Sequence, residues 1–273
     1  MTAYARPSDL TVALALLAGG GWKVLAGGTD VYPGAGAQLA GDVLDISALG
    51  ALQGITRVDG LRIGACTTWS DLAEADLPPA LAGLQAAARQ VGGRQVQNAG
   101  TIGGNLCNAS PAADGVPPLL TLEAEVELAS ARGVRRMPLG AYLRGPRQTA
   151  READELLLAV LIPERALQGQ GRFLKLGARA HLVISIAMVA VRCVTKGGLV
   201  TEIAVAIGAC GPVAARQPGA ERALIGVPLT GLADRLRPED LNLSPIDDIR
   251  AGAAYRREAA FEMVRRALAE VAA

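Results

Sequence analysis

The segment Thr101-Ile-Gly-Gly-Asn-Leu-Cys-Asn-Ala-Ser-Pro-Ala-Ala-Asp114 limits what this chain can fold into more than any other stretch. Two adjacent glycines follow a hydroxyl residue and precede an asparagine, and a proline and an aspartate close the run. Adjacent glycines let a backbone approach a bulky anion closely and turn its N–H groups toward it. Thr101 and Asn105 add side-chain donors, and Asp114 can accept from a hydroxyl. The pattern predicts a loop that cradles a diphosphate without the helix of a Rossmann unit. A second candidate lies upstream. There Val24-Leu-Ala-Gly-Gly-Thr-Asp-Val31 reads as a short apolar strand running into a turn. With 33 glycines in the chain, one such pair is an ordinary turn by default, so the argument rests on having two. Each follows apolar residues, and each offers a hydroxyl.

Other chemistries find little support. The net charge is +1 and aromatic residues make up 3%, so neither electrostatics nor base stacking favours nucleic acid. Cys66, Cys107, Cys193 and Cys210 form no Cys-x-x-Cys pair, and His181 is the single histidine. Zinc and iron–sulfur sites need clustered ligands, so no metal site is expected. Gly-x-Ser-x-Gly, His-Glu-x-x-His and Walker motifs are missing. Gly34 and Gly36 start a dinucleotide fingerprint, but position 39 is leucine. No catalytic nucleophile or acid–base pair is expected. Half the residues are hydrophobic, yet no apolar run is long enough to span a bilayer and no signal segment opens the chain. The expectation is a cytoplasmic, soluble protein.

Hydrophobic periodicity and punctuation give the organisation. Ser8 is expected to cap a helix over Leu10–Ala18. Short strands are expected at Val24–Ala26 and Val43–Ile46, making a β-α-β-type unit over roughly residues 1–55. Leu61–Ala65 reads as a strand, and Thr68 with Asp71 has capping-box spacing. Pro78-Pro79 should open an alanine-rich helix reaching Val91. Glu123–Ser130 alternates as a half-exposed strand does, and Leu156–Ile162 reads as a buried strand. Gln168–Gly171 resembles a linker. Beyond it come strands at Phe173–Leu176 and Ile184–Val194. A hairpin turn at Lys196-Gly197-Gly198 leads to a return strand at Leu199–Ile207. An amphipathic helix over Ala251–Val271 ends the chain.

VLAGGTDV, followed about seventy residues later by NAGTIGGNLCNASPAAD, resembles the FAD-binding (medium) subunits of the molybdenum hydroxylases. That family includes xanthine dehydrogenase and aerobic carbon monoxide dehydrogenase. Further stretches match in the same order: LRIGACTTWSDL, DELLLAVLIP, FLKLGARAHLVISIAMVA and SPIDDIRAGAAYRREAAFEMVRRAL. The resemblance covers essentially the whole chain and implies an α+β architecture. That architecture is a two-subdomain FAD-binding fold of the PCMH type (1–55 and 56–167), then a small C-terminal α+β domain with an antiparallel sheet (172–273).

The resemblance also implies a role. The chain would be an electron-transfer subunit, taking electrons from 2Fe–2S clusters on a small subunit that are fed by a molybdopterin-binding large subunit. It would pass them through FAD to NAD, oxygen or a quinone. By the same resemblance Val24, Leu25, Ala26, Gly27, Gly28, Thr29, Asp30 and Val31 form the first diphosphate segment. Thr101, Ile102, Gly103, Gly104 and Asn105 form the second, with Asp114 near the ribityl or adenosine hydroxyls. Val91 flanks the adenine or the ring, and Leu157 and Lys175 line the flavin. Leu106 and Cys107 stand where the family lays an apolar side chain on the isoalloxazine, although Cys107 also reads as a core thiol. A cation such as Lys175 near the N1/O2 edge would stabilise anionic reduced flavin. Arg256 and Arg257 read equally as helix-surface charges or as a partner-facing pair. Two departures stand out: Leu182-Val183 replaces an acidic pair found in some members, which puts NAD use in doubt, and Arg94 stands where proline is frequent. Rival readings are a stand-alone flavoprotein oxidase and a flavin-free scaffold.

Overall fold

The computed structural model describes residues 3–36 and 39–272. Three main sheets follow one another along the chain, with a fourth, two-stranded one in the second unit. The first is parallel and three-stranded, in the order β1 (Tyr4–Ala5), β3 (Asp42–Asp45), β2 (Trp22–Leu25), with α1 (Leu10–Ala18) crossing between β1 and β2. Leu17, Leu44, Ile46 and Leu49 form its core. The cap of α1 is Asp9 and not Ser8: its carboxylate accepts from the Val12 N–H at 3.1 Å.

The second unit holds β4 (Ile55–Arg57), β5 (Gly60–Gly64), α2 (Trp69–Glu74), α3 (Ala82–Ala88), α4 (Arg94–Ala99), α5 (Ile102–Asn108), α6 (Val116–Thr121), β6 (Glu125–Ser130) and β7 (Gly133–Pro138). It continues through α7 (Leu139–Tyr142), the hairpin β8 (Leu143–Gly145) and β9 (Gln148–Thr149), and β10 (Leu156–Pro163). Its five-stranded antiparallel sheet runs β4-β5-β10-β6-β7. Thr68 and Asp71 form the expected capping box on α2. Pro79 opens a 3-10 turn instead of an α-helix, and α3 stops at Ala88. Strand β6 is buried along nearly its whole length, where alternation predicted half exposure. Its acidic position Glu127 is paired with Arg136 of the neighbouring β7 at 2.9 Å and with Arg62 of β5, two strands away, at 3.4 Å, which removes the need for solvent.

The largest departure concerns Thr101–Asn105, which is the start of a helix and not a loop. Thr101 is the cap of α5, its hydroxyl accepting from the Gly104 N–H at 3.1 Å. Two glycines are poor helix formers. Tertiary bonds override that preference: Ile102 N–H donates to Thr67 O at 3.0 Å and Gly103 N–H to Ala65 O at 2.8 Å.

The third unit is an antiparallel sheet of β11 (Gln170–Leu176), β12 (Ala187–Lys196), β13 (Leu199–Gly208) and β14 (Ala215–Arg216), backed by α8 (Pro218–Leu224) and α9 (Ala253–Ala272). Strand β11 begins inside the expected linker, and β12 begins three residues after Ile184. The buried positions of α9 include Arg256, Ala260, Met263, Val264, Ala267 and Leu268, the spacing of one helical face. Arg256 is neither a surface charge nor free for a partner. It is 3% exposed and donates to Ile186 O at 2.6 Å, Ala209 O at 3.1 Å and Asp248 Oδ1 at 2.7 Å, tying α9 to the sheet. The architecture is therefore α+β, with the antiparallel sheet of the C-terminal part as expected. Among the described residues no helix is long and apolar enough to cross a membrane.

Candidate functional site

The two glycine segments converge because glycine lets them touch. A Cβ on Gly27 would stand 1.8 Å from Ala99 O, and one on Gly100 would stand 2.8 Å from Val96 O and 3.4 Å from Thr29 Oγ1. No side chain fits in that junction, so the turn after β2 lies directly against the end of α4. Gly28 has φ of +70°, and the Tyr32 ring covers the side where a Cβ would point. Its carbonyl accepts from the Val31 and Tyr32 N–H groups, which closes the turn. Gly103 is a packing glycine, since a Cβ there would lie 2.7 Å from Ala65. Gly104 differs: a Cβ there meets only Thr101 Oγ1, at 3.0 Å, and otherwise points into open space.

That space is a cleft of about 770 Å³, within the usual size of a small-molecule site. Val24, Ala26, Gly27, Gly28, Thr29, Asp30, Val31, Val91, Thr101, Gly103, Gly104, Asn105, Cys107, Asp114, Leu157 and Lys175 all line it. Leu25, Ile102 and Leu106 do not. Leu25 is 4% exposed, and Ile102 and Leu106 are fully buried in the core beneath the cleft. Each lies on the inward side of its strand or helix, so adjacency in a motif did not bring it to the cleft wall.

The polar groups facing the cleft are side chains more than helix N–H groups. The first-turn donors of α5 are bound within the chain, to Thr67 O, Ala65 O and Thr101. The Thr29 hydroxyl forms no hydrogen bond among the described residues. Asn105 Oδ1 is buried without a partner, a rare condition for a polar atom and one that a bound ligand's donor would relieve. Glycine-lined approach, an unpartnered amide and a spare threonine hydroxyl fit the sugar–phosphate portion of a dinucleotide.

Asp114 and Lys175 meet each other. Lys175 Nζ donates to Asp114 Oδ2 at 2.6 Å and to Gln90 O at 3.2 Å, and Ser185 Oγ donates to Asp114 Oδ1 at 2.6 Å. Both charged side chains are less than a tenth exposed. Burial pushes the Asp114 carboxyl up from its ordinary value, and the Lys175 ammonium opposes that shift. Asp114 thus carries one protein donor on each carboxylate oxygen. Cys107 faces the cleft, with Sγ 3.3 Å from the Tyr142 hydroxyl. It is therefore not a core thiol. The protein around it pushes the thiol up from its ordinary value by desolvation, so it is a poor nucleophile.

Sequence reasoning did not single out Arg147 and Arg151, which also line the cleft. Arg147 sits in the β8–β9 turn with φ of +59° and binds Asn108 Oδ1 through its guanidinium. No motif announces it, because a basic residue in a surface hairpin is ordinary until the fold turns the hairpin inward. Leu182, Val183 and Ile184 form an apolar stretch on the cleft, with Leu182 at φ of +52°. His181 is exposed. Among the described residues no cluster of His, Cys, Asp and Glu could hold a metal ion.

Comparison with known proteins identifies the family. Residues 1–165 match the family model of the FAD binding domain in molybdopterin dehydrogenase, and residues 172–271 match that of the CO dehydrogenase flavoprotein C-terminal domain. The chain is 32% identical to a putative xanthine dehydrogenase FAD-binding subunit of Escherichia coli strain K12, covering 99% of this chain and 96% of that protein. It is 31% identical to the carbon monoxide dehydrogenase medium chain of Hydrogenophaga pseudoflava, over 97% and 95%. A structure of reconstituted CO dehydrogenase from Oligotropha carboxidovorans superposes with a TM-score of 0.89 at 28% identity, covering 100% of this chain and 98% of that one. The chain belongs to the FAD-binding medium subunits of the molybdenum hydroxylases.

Proposed function

We propose that this chain is the electron relay between the iron–sulfur clusters of a small subunit and an external acceptor, with FAD seated in the cleft. FAD supplies two-electron and one-electron redox chemistry when bound. The chain's own residues do the rest. Gly104 leaves room for the diphosphate, Gly27 and Gly28 let the first turn close against α4 and Tyr32, and Thr29, Thr101 and Asn105 orient the bound group. Val91 and Leu157 offer apolar wall to the ring, and the Lys175–Asp114 pair supplies the only buried ion pair on the described cleft wall. In a family member, the observation that carries this reading is the unpartnered Asn105 amide beside two glycine segments that touch.

Electrons would originate at a molybdopterin-binding large subunit, a reading supported by the match to the FAD binding domain in molybdopterin dehydrogenase. The acceptor would be NAD, oxygen or a quinone. The apolar Leu182-Val183-Ile184 stretch favours an apolar acceptor. A heterotrimer in the cytoplasm is the setting we infer, with 1–55, 56–167 and 172–273 as the structural units. The test is anaerobic. The isolated FAD-loaded chain should be bleached by dithionite and left oxidised by xanthine, nicotinate or carbon monoxide. Substrate-dependent bleaching by the chain alone would support a stand-alone oxidase instead.

A further inference from the structure

We propose that Ser185 is a positioning residue of the flavin site, acting through Asp114 on the direction of the Lys175 ammonium. This rests on the reading that the cleft holds FAD. Ser185 is 2% exposed and does not line the cleft, whereas Asp114 and Lys175 do. Its hydroxyl donates to Asp114 Oδ1 at 2.6 Å, while Lys175 takes Oδ2 at the same distance. A carboxylate held by one cation alone can turn about its terminal torsion. A second donor on the other oxygen removes that freedom and fixes where Oδ2 meets the ammonium.

The two donors come from opposite ends of one strap. Lys175 lies near the end of β11, and Ser185 precedes β12 across the strap of residues 177–186. Leu176 and Ala187 are register partners, so the strap closes on itself and both ends reach the same aspartate. The backbone beside Ser185 is fixed as well. Ile186 N–H donates to Leu176 O at 2.8 Å, and Ile186 O accepts from Arg256 at 2.6 Å. The arginine of the C-terminal DDIR…AYRR stretch therefore anchors the residue that orients the cleft's ion pair.

Removing the Ser185 hydroxyl leaves Asp114 with Lys175 as its only side-chain donor. The carboxylate then draws more of the ammonium's field, and less is left for negative charge on a reduced ring. The full-length chain is loaded with FAD, and the midpoint potential and visible spectrum of wild type and variants are compared. Ser185→Ala should keep FAD at wild-type stoichiometry. Its oxidised-to-reduced ratio at fixed poise should rise about three- to tenfold, a fraction of one charge-assisted hydrogen bond. Ser185→Thr, which keeps the hydroxyl, should restore the wild-type potential, and Ser185→Cys, a weak donor, should lie near alanine. The cysteine variant decides the question if alanine fails to fold. Wild-type potential and spectrum in the alanine or cysteine variant, or no restoration by threonine, overturns the proposal. Failure of wild-type chain to take up FAD overturns the reading of the cleft itself.

Discussion

Replacing Gly104 by valine puts a branched side chain into the cleft while touching little of the fold. The new Cβ stands 3.0 Å from Thr101 Oγ1 and meets nothing else within 4 Å. The structural cost is the α5 cap, about 1 kcal/mol if Thr101 loses the Gly104 N–H. Valine is a better helix former than glycine by roughly 0.4 kcal/mol, which offsets part of that. The melting temperature should fall by only about 1–4 °C. Binding should suffer far more. Two hydrogen bonds to a charged group are worth ~3–6 kcal/mol together, so displacing the diphosphate should weaken FAD binding by roughly 10²- to 10⁴-fold. Flavin fluorescence titration of the apo chain measures this, with far-UV circular dichroism as the folding control. Gly103→Val is the contrast: its Cβ would lie 2.7 Å from Ala65, so it should damage folding first. A folded Gly104→Val chain with wild-type FAD affinity would refute the placement of the diphosphate.

Lys175→Met leaves the buried Asp114 carboxylate without its cation and should cost about 3–5 kcal/mol in urea denaturation, with partial recovery on adding Asp114→Asn. Arg256→Met strands the Ile186 and Ala209 carbonyls and should lower stability by roughly 3 kcal/mol, with α9 amides exchanging hydrogen faster than those of β10. Asp248 is held down to about 2, first by the Arg250 backbone N–H. Its folded value lies below the ordinary 3.8, so its contribution is complete above that pH and disappears as pH falls through about 2. Acid unfolding of Asp248→Asn should lack that slope. Denaturing the holo chain should release all its flavin as FAD, because no histidine lines the described cleft and Cys107, the cysteine on its wall, is engaged with the Tyr142 hydroxyl; flavin retained on the unfolded polypeptide would contradict this.

Much of this was legible in the sequence because the relevant signals are local. The capping box at Thr68–Asp71, the hairpin turn at Lys196–Gly198 and the buried stripe of α9 depend on neighbours within a turn or two. The convergence of Val24–Val31 with Thr101–Asn105 was legible through the resemblance. The failures share a cause in tertiary partners. Thr101–Asn105 is helical because Thr67 and Ala65 supply carbonyls to it, and Glu127 is buried because arginines from β7 and β5 reach it. Likewise Asp114 and Lys175 were read separately, yet they neutralise one another across 61 residues. Ser185 and Arg147 carry no motif at all; only the folded strap and hairpin give them a place.

A crystal structure of the FAD-loaded chain tests the central claim most directly. The account predicts the diphosphate between Gly27–Thr29 and Gly104–Asn105, with the Asn105 side-chain N–H donating to a phosphate oxygen and the Lys175–Asp114 pair beside the ring. Density for FAD anywhere else, or a diphosphate held by the α5 N–H groups with Asn105 still unpartnered, would contradict it.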